Sequence, residues 1–182
     1  MFLKAYFLIC TIIILQTCGK DNHTRTYHLP KSEVHSKIQP IKIPKSGISW
    51  EIPEMWVTSS GSNMRLASFE VPYGGGTGDL SVIQLAGTGG GLMPNINRWR
   101  RQLNLESQSL HEIEKDVIEK KGKPGKYKMI RIVNFQNNAA FLVAIIPVEN
   151  QTLFVKLSAD PPGIQETESD FIFFCSSIHF VH

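Results

Sequence analysis

The sequence predicts an α+β fold, a mainly antiparallel twisted sheet of about six strands covered by helices. Three observations carry this. Several short runs alternate apolar and polar residues with period two, whereas others repeat their apolar residues at helical spacing. Neighbouring strand-like runs are joined by short Gly- or Asn-rich turns, which suit antiparallel pairs. The order of three strands, two helices, three strands and a last helix needs few crossovers and leaves the helices to cover the sheet.

Taken in order, Ile48, Trp50 and Ile52 alternate with polar neighbours and read as a first strand that Pro53 ends, with Trp56 in the turn beyond. Residues 64–71 form a second strand, with Met64, Leu66 and Ser68 on one face and Ala67, Phe69 and Val71 on the other. A flexible glycine-rich connection, residues 72–78, leads to a third strand over 80–85. The period then changes. Residues 87–91 hold four glycines, Pro94 suits the first turn of a helix, and Ile96, Trp99 and Leu103 follow at helical spacing to face the sheet. Ser109 and Glu112 fit a capping box for a second helix, with a stripe of Leu110, Ile113, Val117 and Ile118. Lys120 and Lys121 suit its negative end, and Gly122 and Pro124 stop it. Strands resume over 127–135, turn at Asn137-Asn138, continue over 139–148, and return around Phe154, Val155 and Leu157. Asp160 caps a last helix opening on Pro161-Pro162, which buries Ile164, Phe171, Phe174, Cys175 and Ile178. A short strand, residues 178–181, ends the chain.

The ends of this pattern carry a resemblance. Trp50-x-x-Pro53-x-x-Trp56 at the start, and a helix followed by a short strand at the finish, resemble the Mog1/PsbP type of α-β-α sandwich. That resemblance implies a fold and no particular activity. Residues 47–105 carry another. Trp50, Pro53, Trp56, Met64-Arg65 and Phe69, then Gly89-Gly90-Gly91, Asn95-Ile96-Asn97-Arg98-Trp99-Arg100 and Gln102-Leu103, are similar to a family of short bacterial proteins, many of them lipoproteins, with no established activity.

The N-terminal residues give an address. After Lys4, an apolar run from Ala5 to Leu15 has the length of a secretory h-region and is short for a membrane span. Leu15-Gln16-Thr17-Cys18 resembles a bacterial lipobox, with Thr17 where Gly, Ala or Ser is usual. The resemblance implies a signal peptide over 1–17, lipid on Cys18 and a partner membrane facing the periplasm. Gly19 in place of Asp favours the outer membrane by the same resemblance. Residues 18–45 then read as the lipidated Cys and a flexible tether, being polar, punctuated by prolines and without apolar periodicity. A single α+β domain occupies 46–182.

Composition excludes several function classes. A hydrophobic share of 42% supplies a core, and a net charge of +3 with interspersed signs argues against a nucleic-acid partner. With Cys10 in the leader and Cys18 lipidated, Cys175 has no partner for an intradomain disulfide, and its apolar neighbours mark it as a buried thiol. No metal or cofactor motif stands out: His23, His28 and His35 fall in the tether at no compact spacing. Ser59, Ser60 and Ser62 lack a nucleophile elbow, and His111 lies among the charges of a solvated helix face. These features point away from an enzyme.

One constellation remains. Backbone N–H groups at a helix start favour an anion, and glycines let it approach closely. Gly89, Gly90 and Gly91 precede the first helix, whose Asn95, Asn97, Arg98 and Arg101 lie off the Trp99 stripe, and Arg65 is available from a neighbouring strand. The loop is neither a P-loop nor a dinucleotide fingerprint. The expectation is a non-enzymatic, lipid-anchored module that binds an envelope protein through this region. The alternative is an accessory that binds a small anion in a concave pocket there.

Overall fold

The computed structural model describes residues 47–180; the expected signal peptide (1–17), Cys18, the expected tether and residues 46, 181 and 182 lie outside the described residues. In chain order the elements are β1 (Ile48–Ser49), β2 (Val57–Thr58), β3 (Ala67–Tyr73), β4 (Gly76–Ala86), α1 (Leu92–Gln102), α2 (Leu110–Asp116), β5 (Ile118–Gly122), β6 (Gly125–Asn134), β7 (Ala139–Val148), β8 (Gln151–Ala159), α3 (Pro161–Ser177) and β9 (His179–Phe180). Seven strands make one sheet in the order β2-β3-β4-β8-β7-β6-β5, and β1 and β9 pair separately. Every pairing is antiparallel. Helices pack on both faces, so the α-β-α sandwich predicted from the sequence is the architecture observed.

The pleat sorts the core into two layers. Leu153, Val155 and Leu157 of β8 and Leu142, Ala144 and Ile146 of β7 point to the α3 side, where Ile164, Phe171, Phe174 and Cys175 cover them. Phe154 of β8, Phe141 and Val143 of β7, and Ile130 and Ile132 of β6 point the other way, under Ile96, Trp99 and Leu103 of α1 and Ile113 of α2. Strands buried on both faces read as continuous apolar runs, as Ala139–Val148 does.

The two faces are covered unequally. Seven strands span about 29 Å across the sheet at ~4.8 Å spacing. The 17-residue α3 is about 25 Å long, whereas α1 and α2, of 11 and 7 residues, reach only ~16 and ~10 Å. Part of the α1–α2 face therefore stays open on either side of α1.

Several elements differ from the sequence expectation. The first strand shrinks to β1, which leaves the main sheet to pair with β9. β3 begins at Ala67 rather than 64, because the Arg65 N–H closes a turn on the Ser62 carbonyl, leaving Met64 exposed. The connection over 72–78 is a tight hairpin, with Tyr73 opposite Gly76 around Gly74-Gly75. The second helix stops at Asp116. Its capping box forms as expected, but Val117 is already extended, and Ile118–Gly122 is β5, paired with β6. Lys120 and Lys121 therefore lie on an edge strand, and Gly122 and Pro124 belong to its hairpin turn. Glu-Lys alternation fits either period, and pairing with β6 outweighs a weak helical preference.

Candidate functional site

The glycine loop is the strap that carries the chain from β4 to α1. Gly87, Gly89, Gly90 and Gly91 all have positive φ. At Gly89 the requirement is twofold: φ is 61°, and a Cβ there would lie 2.5 Å from the Phe154 ring. Asn95, buried in the first turns of α1, donates to the Gly89 carbonyl (2.8 Å) and the Gly91 carbonyl (2.6 Å). Thr152 donates to the Gly87 carbonyl at 2.7 Å. Asn97 exchanges two hydrogen bonds with the Gln108 backbone and ties α1 to the loop before α2. The predicted asparagines thus use their amides within the fold.

The predicted cations divide. Arg101 is exposed on α1, away from the cleft walls. Arg98 and Arg65, by contrast, meet at one cleft of about 300 Å³ between α1 and the β4–β8 part of the sheet. Lys156 of β8 joins them there, and Gln102, Ser81 and Ile83 complete the polar and apolar walls. Three cations, from the turn before β3, from α1 and from β8, share this concave surface.

One carboxylate, Asp79, is paired with these cations through Arg65. Arg65 holds Asp79 with two parallel hydrogen bonds of 2.9 Å, which raise the affinity of its guanidinium for its proton. Arg98 lies over the Trp99 ring, with its guanidinium carbon 5.5 Å from the centroid. Lys156 places its ammonium 4.3 Å from the Phe141 centroid and donates to Gln102 Oε1 at 3.2 Å. Burial holds the Lys156 pKa below the ordinary lysine value, Arg65 and Arg98 lower it further, and Asp79 opposes them. Lys156 and Asp79 were not among the residues singled out by sequence. The signal for Lys156 was a lone cation within the apolar run Leu153-Phe154-Val155-Lys156-Leu157.

A larger hollow, about 650 Å³, opens on the other side of α1, below Gly87, Thr88, Gly91 and Leu92. Size alone does not decide between the two. In the larger hollow Lys126 and Lys128 face Glu119 and Glu149, and Lys126 pairs with Glu119 at 3.5 Å, so its charges balance. The smaller cleft has three cations against Asp79. Of the two, only the smaller cleft therefore carries an excess of positive charge.

Elsewhere, His179 Nδ1 contacts the Ser177 carbonyl, and the Cys175 thiol is fully buried, which pushes its pKa well up. Among the described residues there is no cluster of three or more His, Cys, Asp or Glu that could hold a metal ion, and no helix is long and apolar enough to cross a membrane.

No protein-family model matches the chain, and no curated protein sequence matches it. Among solved structures, it is similar to the solution structure of cyanobacterial PsbP (CyanoP) from Synechocystis sp. PCC 6803, at 15% identity and a TM-score of 0.47, over 92% of this chain and 99% of that one. A crystal structure from Bacteroides thetaiotaomicron VPI-5482 is similar at 11% identity and a TM-score of 0.44, over 74% of this chain. This chain spans 45% of that protein's length. Both are likenesses of coarse fold.

Proposed function

We propose that this protein is a lipid-anchored envelope lipoprotein, held through Cys18, whose folded domain is a non-catalytic module that binds an anion. The convergence of Arg65, Arg98 and Lys156 on one concave surface, with Asp79 as their carboxylate, carries the reading. A cleft of about 300 Å³ is at the lower end of small-ligand sites, which favours a small anion over a broad protein face. The domain then presents that anion to, or takes it from, another envelope component.

The test uses the full-length chain in uncharged maltoside micelles, titrated with inorganic phosphate, acetate and hexanoate while the thermal midpoint is followed. At a hundredfold excess over Kd, a bound anion adds about 2.7 kcal/mol of stability. The double variant Arg98→Gln, Lys156→Gln is expected to lose that response while remaining folded. A wild-type midpoint indifferent to all three anions contradicts the reading. The anchor is tested separately: palmitate labelling in cells is expected for the wild type and lost in Cys18→Ala.

A further inference from the structure

We infer, resting on that anion-binding reading, that the ligand is an amphiphilic oxyanion, a carboxylate or phosphate group carried on an apolar body. The register of β4 against β8 lays out the site as a polar-to-apolar track. Ser81 stands opposite Lys156, Ile83 opposite Phe154 and Leu85 opposite Thr152. Successive same-face positions are about 6.7 Å apart, so the track runs roughly 13 Å from the Lys156 end to the Leu85 end.

The head of the ligand belongs at the Lys156 end. Arg65 already has its charge matched by the two-point contact with Asp79. Lys156 gives one hydrogen bond to a neutral amide, and an ammonium carries three N–H groups, so donors remain for an oxyanion. Arg98 is exposed on the α1 side of the same cleft and supplies a planar fork of donors.

The body belongs on Ile83 and Leu85. Both are half-buried, although Phe141, Val143 and Phe154 on the same face of the sheet are covered. Trp99 and Phe154 form the apolar wall beside them, and Met64, 76% exposed, adds flexible apolar surface. A bare inorganic anion would leave this surface wet. An apolar body removes it from water while its head answers the two cations.

The test is a homologous series on the full-length chain in maltoside micelles: acetate, butyrate and hexanoate, with phosphate and phenyl phosphate to separate the two head groups. Free ligand is fixed by dialysis, and binding is read from the amide chemical shifts of residues 81–85. Kd is expected to fall about fourfold per methylene until the track is filled. Phenyl phosphate should bind more tightly than phosphate, and hexanol, which lacks the charge, should not bind. Ile83→Thr and Leu85→Gln should weaken hexanoate about fourfold or more and leave acetate unchanged, whereas Arg98→Gln should weaken every anion alike. A flat series, with acetate and phosphate binding as well as their apolar-bodied relatives, overturns the amphiphile and leaves anion binding standing. Absence of binding by every oxyanion overturns both.

Discussion

Asn95→Ala should loosen the glycine loop without touching the cleft. The Asn95 amide donates to the carbonyls of Gly89 and Gly91, at 2.8 and 2.6 Å, and the side chain is buried. Each such bond contributes about 1 kcal/mol net, so removing both should cost about 2 kcal/mol. For a domain of this size that lowers the thermal midpoint by roughly 8 °C. Asn95→Asp keeps the shape but replaces the donating group by a carboxylate facing two carbonyls. It should be worse at neutral pH and recover partly on acidification, when protonation restores a donor. The assay is thermal and urea denaturation of the full-length chain, with anion affinity measured on the same samples. Equal stability of Asn95→Ala and wild type would refute the reasoning, as would Asn95→Asp being the milder change. A loss of anion affinity with unchanged stability would place Asn95 in the binding site instead.

Other perturbations separate packing from recognition. Gly122→Ala should destabilise by about 1–3 kcal/mol, because a Cβ there would meet the Ser176 backbone at 2.5 and 2.6 Å, read as a lowered urea midpoint. Asp79→Asn should change stability by less than about 1 kcal/mol, since its pair with Arg65 is partly exposed; isothermal titration should show tighter anion binding as Arg65 is released. Anion affinity should fall as pH rises into the alkaline range, starting below the ordinary lysine value, because Lys156 loses its proton early in the free protein. The sign for stability is the opposite. In that window the unfolded chain still holds the proton that the folded chain has lost, so the ligand-free fold gains stability with pH. Lys156→Arg should flatten the affinity profile.

The layers were legible in the sequence because their causes are local. The Trp99 stripe, the Ser109–Glu112 capping box and the Asp160 cap each declare themselves within a few residues, and each formed. What the sequence did not disclose depends on pairing at a distance. Residues 118–122 carry no strong preference of their own, and only β6 alongside makes them a strand. The site divides in the same way. The glycine loop was visible as composition, but its polar neighbours turned inward: Asn95 and Asn97 satisfy backbone groups of the fold. Arg65 and Arg98 are 33 residues apart, and Lys156 is further still; the sheet order β3-β4-β8 under α1 brings them to one cleft. No local pattern records that order.

The most direct test of the account is amide chemical-shift mapping of the full-length chain in maltoside micelles, with hexanoate added. The prediction is saturable shifts concentrated at Arg65, Ser81, Ile83, Arg98, Gln102 and Lys156, and absent from the Arg98→Gln, Lys156→Gln variant. Shifts centred instead on Gly87, Thr88, Lys126 and Lys128 would move the site to the larger hollow and contradict the cleft assignment.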